Sequence, residues 1–248
     1  MSKKDLLSIQ EKNADLWNTV HKYHEGNRYP HEYLVKFISF IEQAKYISSL
    51  SALDIGFGCH SNLKMCYEMG YDIYGIEVSR EALRKTSQTF KDMGIKFTGK
   101  LFNSPEIPFE DNKFSLVYSQ QAIYYNLDLE KVISEIKRVL VPGGAIYITF
   151  FTPKHWYFRH SEKVNDTLVK WSDAFPTLAL RGLILRYFSS KQELREIFNE
   201  FKYLRVDDFN TNMLGVDFSL WIVTGFKDGE FLKQYNMMEH YENVAKPK

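Results

Sequence analysis

Cysteine is nearly absent: two thiols, Cys59 and Cys66, stand seven positions apart in a chain of 248 residues. No CxxC pair occurs, so no structural metal site is expected, and a reducing cytoplasm is the expected compartment. An excess of either charge is missing as well, with 32 Lys plus Arg against 31 Asp plus Glu and a formal net charge of +1. A nucleic-acid groove needs surplus positive charge to displace counterions, so no nucleic-acid partner is expected. Long apolar runs are lacking too. None approaches the ~20 residues that cross a bilayer, and Met1-Ser2-Lys3-Lys4-Asp5 leads into a polar amphipathic stretch rather than a signal-peptide core, so no membrane insertion is expected. Internal repeats and low-complexity segments are also missing. Aromatic side chains are abundant, at 16% of the residues.

The polar and apolar positions divide the chain by period. Leu6, Leu7, Trp17 and Val20 predict a helix over about residues 4–24, and Leu34, Phe37, Ile38, Ile41 and Ala44 predict a second after Pro30. The loop between them is marked by Gly26, Asn27 and Pro30. From Ser51 onward, short apolar strands alternate with helices. Strands are predicted at 52–55, 72–77, 95–98, 114–119 and 145–151, with helices over about 59–69, 79–92 and 129–140. Residues 152–188 break this rhythm and read as an inserted lid, followed by a helix over 190–201 and strands near 203–209 and 217–225. The alternation predicts an α/β fold, a Rossmann-like seven-stranded, mostly parallel sheet with an antiparallel edge pair and helical caps. A ligand then belongs beyond the carboxyl ends of the strands, where the strand order reverses.

That place carries Leu53-Asp54-Ile55-Gly56-Phe57-Gly58, with Glu77 nineteen residues after Gly58. Glycines at a strand-to-helix turn let backbone amides approach a ligand, and an acidic residue ending the next strand can accept both hydroxyl hydrogens of a ribose. A dinucleotide turn of the NAD type wants Gly-x-Gly-x-x-Gly, whereas here Ser61 takes the third glycine's place. Two later segments join this one in order: Asn103-Ser104-Pro105-Glu106-Ile107-Pro108-Phe109-Glu110-Asp111 leading into Phe114, and Arg138-Val139-Leu140-Val141-Pro142-Gly143-Gly144. Together, over about residues 50–150, they resemble class I S-adenosylmethionine (SAM) methyltransferases. The resemblance implies SAM as cofactor and S-adenosylhomocysteine as product. It implies that Asp54 orders the turn and approaches the methionine amino group, and that Gly56 and Gly58 line the methionine and ribose. By the same resemblance Glu77 binds the ribose hydroxyls, Asn103 beside Ser104 takes the adenine amino group, and Ser119 with Gln120 floors the pocket. Two positions depart from the family pattern. Asn103 replaces the usual Asp, and His60 stands where many members have a third glycine.

The acceptor side is sought after the fourth and fifth strands. Tyr124 and Tyr125 follow the fourth, and the basic run Lys154, His155, Arg159, His160 follows the fifth. With Arg28 and Tyr29 from the N-terminal loop and Arg181 from the lid, these predict an anion pocket, in which cations position and neutralise charge. His155 is the expected base, since an imidazole titrates near neutrality. Packing explains Tyr124 and Tyr125 about as well as binding does. Each basic residue taken singly reads more readily as part of a solvated charged lid, while the group together favours the pocket. Trp17, Phe37 and Ile38 read as helix packing.

The resulting expectation is a SAM-binding domain over 49–226, with an N-terminal helical cap at 1–48, a lid at about 152–188 and a polar tail at 227–248. The expected activity is O-methylation of a small polar, anionic acceptor. The overall look is similar to bacterial methyltransferases acting on sugar- or phosphate-containing precursors of surface polysaccharides, phosphoramidate decorations of capsules among them. N-methylation of a small amine and a non-catalytic SAM-binding scaffold remain the alternatives, while the missing third glycine disfavours an NAD(P)-dependent oxidoreductase. An amine acceptor would favour carboxylates and aromatic faces in the lid.

Overall fold

The computed structural model describes residues 3–43 and 50–228. The expected domain boundary at 48/49 and nearly all of the expected tail lie outside them. Two helices, α1 (Lys3–Tyr23) and α2 (Glu32–Gln43), precede the sheet. There follow β1 (Ser51–Ile55), α3 (Ser61–Glu68), β2 (Asp72–Glu77), α4 (Arg80–Asp92), β3 (Phe97–Leu101), β4 (Phe114–Ser119), α5 (Leu129–Val139) and β5 (Leu140–Phe151). A lid with β6 (Ser161–Lys163), β7 (Leu168–Trp171) and β8 (Ile184–Arg186) leads to α6 (Lys191–Ile197) and the hairpin β9 (Lys202–Met213) and β10 (Val216–Phe226).

The main sheet has the order β3-β2-β1-β4-β5-β10-β9. β1 to β5 are mutually parallel, β10 runs antiparallel to β5, and β9 antiparallel to β10. The order reverses between β1 and β4, so their carboxyl ends diverge and leave a crevice. Apolar side chains bury both faces of the sheet. On one face the α5 stripe Val132, Ile133, Ile136 and Val139 packs against Leu53, Val117 and Ile146. On the other, Leu34, Ile38 and Ile41 of α2 and Leu63 of α3 pack against Ala52 and Leu116. β4 is buried along its whole length, as its position in the middle of the sheet requires.

Several elements differ from the sequence expectation. β3 begins later than expected, at Phe97, and β5 begins five residues early, because Leu140 pairs with Phe114 across an irregularity in the ladder. The helix after Ser190 stops at Ile197, short of the expected residue 201. The lid is not irregular: β6, β7 and β8 form a separate antiparallel sheet, too short-stranded to carry a readable alternation.

Arg138, in the segment before Pro142-Gly143-Gly144, ties the loop ahead of β4. Its guanidinium donates to Glu135 and Asp111 and to the carbonyls of Ile107 and Phe109 at 2.6 to 2.9 Å. Glu135 in turn accepts from the Ile107 N–H at 3.1 Å. Arg138→Met keeps the aliphatic stem and removes these bonds; it should lower unfolding free energy in urea by about 2 kcal/mol.

Candidate functional site

A cavity of about 480 Å³ opens in the crevice between β1 and β4. Its floor begins with the turn after β1, where Gly56 (φ +75°) and Gly58 (φ +54°) adopt the left-handed backbone. A Cβ on Gly56 would stand 2.4 Å from the Ala122 Cβ, so only glycine fits. Glu77, 4% exposed, holds the turn: its Oε2 accepts from the Gly58 N–H at 2.8 Å and its Oε1 from the Ser79 N–H at 2.9 Å. Each oxygen keeps a further lone pair for a ligand hydroxyl. Asp54, expected to approach the methionine, is buried behind this turn beside Tyr118 and does not line the cavity, and burial pushes its pKa well up. Ile76, Val78, Phe102 and the exposed Asn103 continue the wall away from Glu77.

His60 does not disturb the turn. Its backbone lies at φ −82°, ψ −5°, a right-handed conformation open to any residue, and its ring packs edge-on against Phe90 at 6.0 Å. The position therefore has no need of glycine in this chain.

Of the residues expected to hold a cofactor, Gly56, Gly58, Glu77, Asn103 and Gln120 line the cavity. Ser119 and Ser104 do not. The Ser119 hydroxyl donates to the Ile55 carbonyl at 2.8 Å and accepts from the Ile123 N–H at 3.1 Å, bracing β1 to the turn after β4. Ser104 Oγ accepts from the Glu106 N–H within its own loop.

The other end of the cavity is aromatic. Tyr125, Phe151, Tyr157 and Trp171 line it, with Trp17 of α1 above. Trp17 meets Tyr125 edge-on at 5.2 Å, and Trp171 meets Tyr125 at 6.0 Å and Tyr157 at 5.2 Å. Trp17 is thus more than helix packing. Polar lining comes from amides: Gln10, Asn13, Gln120, Gln121 and Asn126. Gln10 Nε2 donates to Asn126 Oδ1 at 2.8 Å, and Asn13 pairs through both amide atoms with the Ile184 backbone at 2.6 and 3.2 Å. α1 is thereby fastened to the loop after β4 and to the lid.

The expected anion pocket is not assembled here. No Lys or Arg lies among the described residues that line the cavity; its acidic members are Glu32 and Glu77. Arg159 is exposed and ion-pairs with Asp217, Arg181 donates to the Phe175 carbonyl at 2.9 Å, and Lys154 and Arg28 are exposed away from the lining. Tyr29 lines the mouth at 82% exposure. His155 is buried off the cavity against Phe151 and Tyr157, its Nδ1 accepting from the Tyr157 N–H at 3.2 Å. Burial pushes its pKa down to about 4, so it stays neutral and out of reach of the cavity. Tyr124 is buried beneath Tyr125 and does not line the cavity, while Tyr125 does. Trp17, His21, Gln121, Tyr157 and Trp171 carried no local sequence signal for this site. Among the described residues no cluster of metal-ligating side chains occurs, and no helix is long and apolar enough to cross a membrane.

Residues 53–148, from β1 through most of β5, match the methyltransferase domain family. This segment is a methyltransferase domain. The cofactor of the domain is SAM, and the glycine turn and the open lone pairs of Glu77 fit it. The fold agrees: a SAM-dependent methyltransferase from Methanosarcina mazei superposes with a TM-score of 0.60 at 22% identity, over 76% of this chain and 98% of that one. A [4+2]-cyclase superposes at 0.59 with 17% identity, over 89% and 94%. By sequence, the methyltransferase domain is similar to a sterol 4-C-methyltransferase of Caenorhabditis elegans, 26% identical over 55% of this chain and 42% of that protein. A phosphoethanolamine N-methyltransferase of the same organism is 32% identical over 40% of this chain and 23% of its own length. The matches span less than half the length of these curated relatives.

Two outcomes follow from this geometry. Glu77→Ala removes the acceptor oxygens and frees the Gly58 and Ser79 N–H groups; SAM affinity by calorimetry should fall at least about tenfold. His155 is neutral when folded and takes up a proton near pH 6.5 when unfolded, so stability should fall as pH drops from 6.5 toward 4. In His155→Gln, melting temperature should depend less steeply on pH across that window.

Proposed function

We propose that the chain transfers the methyl group of SAM to the nitrogen of a small amine with an apolar or aromatic body. The observation that carries this reading is an acceptor end walled by Tyr125, Tyr157 and Trp171 with no lining Lys or Arg among the described residues. Within it, Gly56 and Gly58 line the methionine and ribose, Glu77 accepts the ribose hydroxyls, and Asn103 lies toward the adenine. Asp54 and Gln120 support the methionine end. Bound SAM supplies an electrophilic methyl group on a cationic sulfur.

The charge balance of the reaction favours an amine in this setting. A neutral amine would receive a positive charge together with the methyl group that bound SAM would supply, and would afterwards release a proton to water, with Tyr125, Tyr157 and Trp171 facing that cation. Charge is transferred and no anion is created. Aromatic faces accommodate a cation at either stage through their quadrupoles. A neutral hydroxyl, by contrast, must lose its proton during attack, and His155, the expected base, does not line the cavity. A phosphorylated sugar would bring negative charge into a lining whose formal charges are carboxylates, against the electrostatic gradient. The surface-polysaccharide precursors expected from the sequence are therefore less well served than the amine alternative. Two relatives are named for amine acceptors, the phosphoethanolamine enzyme above and a sarcosine/dimethylglycine N-methyltransferase of Halorhodospira halochloris, 26% identical over 39% of this chain. Both amines also carry an anionic group, so the names support nitrogen as the acceptor atom and not the apolar body. The enclosing side chains do the remaining work: they exclude water and hold nitrogen, carbon and sulfur in line.

Transfer of labelled methyl from SAM should be screened against aliphatic amines, arylamines and sugar phosphates. Methylation of sugar phosphates with none of the amines turning over would overturn the proposal. With an amine acceptor in hand, Tyr157→Ala should raise its KM about tenfold. The Lys154→Ala, Arg159→Ala double variant should stay within about twofold of the parent, since neither side chain meets the cavity.

A further inference from the structure

One cavity residue belongs to no motif and is supplied by an element outside the methyltransferase domain. His21, near the end of α1, faces the turn after β1: its Nε2 lies 3.3 Å from where a Cβ on Gly58 would stand. The ring stacks on Trp17 at 5.7 Å with a 26° tilt. Its Nδ1 is buried, and the backbone carbonyl of Trp17, one turn earlier in α1, lies close enough to bear on the ring. Glu77, Lys85 and His24 are the ionisable groups whose fields reach it.

The placement of His21 is fixed from outside the ring. Lys85 Nζ donates to the His21 carbonyl at 2.6 Å, and Asn18 Oδ1 accepts from the Glu81 N–H at 3.0 Å and the Ser79 hydroxyl at 3.4 Å. α1 is thus pinned to the start of α4, one turn away from Glu77. The two side chains have complementary hydrogen-bonding ability. Ionised Glu77 can only accept, and each oxygen already holds one backbone N–H. A neutral imidazole carries one N–H donor. A ribose diol offers both functions: its hydrogens suit the carboxylate, and its oxygens keep lone pairs that need a donor. Glycine at position 58 puts no side chain of its own against the His21 ring.

We propose that His21 is a cofactor-binding residue that donates from its imidazole to the ribose oxygens of SAM while Glu77 receives the ribose hydrogens. The N-terminal helix then completes the cofactor site as well as roofing the acceptor. This rests on the assignment of the Glu77 end of the cavity to the ribose.

Calorimetry on the full chain tests it with two probes, S-adenosylhomocysteine and 5′-methylthioadenosine, which share the ribose but differ in the amino-acid portion. His21→Phe keeps the ring against Trp17 and removes the donor; it should weaken both probes about tenfold. His21→Gln places an amide N–H within reach of the same space and should recover most of that loss. A thermal melt of each apo variant confirms that it is folded, and either variant alone carries the comparison. Parent-like affinity of His21→Phe for both probes overturns the proposal. A loss confined to S-adenosylhomocysteine moves His21 to the amino-acid end and overturns the ribose assignment. If the parent protein binds neither probe, the cofactor reading itself fails, a result separate from any difference among variants.

Discussion

The Glu77 carboxylate joins two units that the chain builds separately. One oxygen holds the glycine turn that follows β1, and the other holds the first residue before α4, so one buried anion sets the spacing between neighbouring βα units. Hydrogen bonds to an ionised acceptor are among the stronger ones available, and the one from Ser79 is buried. Across the crevice Ser119 plays a similar part with a neutral hydroxyl, linking the end of β1 to the turn after β4. The floor of the cavity is therefore anchored at strand ends. The roof is supplied by α1 and the lid.

This division explains the chemistry of the lid. Its basic side chains act mainly as fasteners. Arg186 reaches Glu130 on α5 at 2.8 Å, Arg159 reaches Asp217 on β10, and Arg181 closes the lid's own turn on Phe175. The interior is left to rings: Trp171 lies flat on Phe175 at 4.3 Å, and Tyr157 packs against both. A lid held by charge at its rim and filled with aromatics inside presents an apolar face to the cavity although its composition is basic.

The sequence made the floor legible and the roof opaque. Strand period, glycine turn and the α5 stripe are local signals, each contained in a dozen residues or fewer, and they located the main sheet. The aromatic end of the cavity is assembled from residues 10–17, 120–126 and 151–180, and nothing local marks which side chains meet. Trp17 and His21, one helical turn apart, have the same spacing whether they face a core or a cavity. Strands of three or four residues, such as β6 and β8, are too short for alternation to show. Charge misled for a related reason: the basic run after β5 is visible in the sequence, but the carboxylates that engage Arg159 and Arg186 lie far along the chain. His60 illustrates the reverse case. It departs from the family pattern, and only the backbone angles show that the departure is without strain.

Asn13 gives the N-terminal helix a further significance. β8 is the last strand of the lid's three-stranded sheet, and a strand without a neighbour is a template for pairing with another chain. The carboxamide of Asn13 offers one donor and one acceptor to the Ile184 peptide, as an adjoining strand would. A single side chain from a helix thus takes the place of a missing strand at the first residue of that edge. The segment that roofs the cavity also occupies part of the lid's open edge, so roof and edge are closed by the same contact.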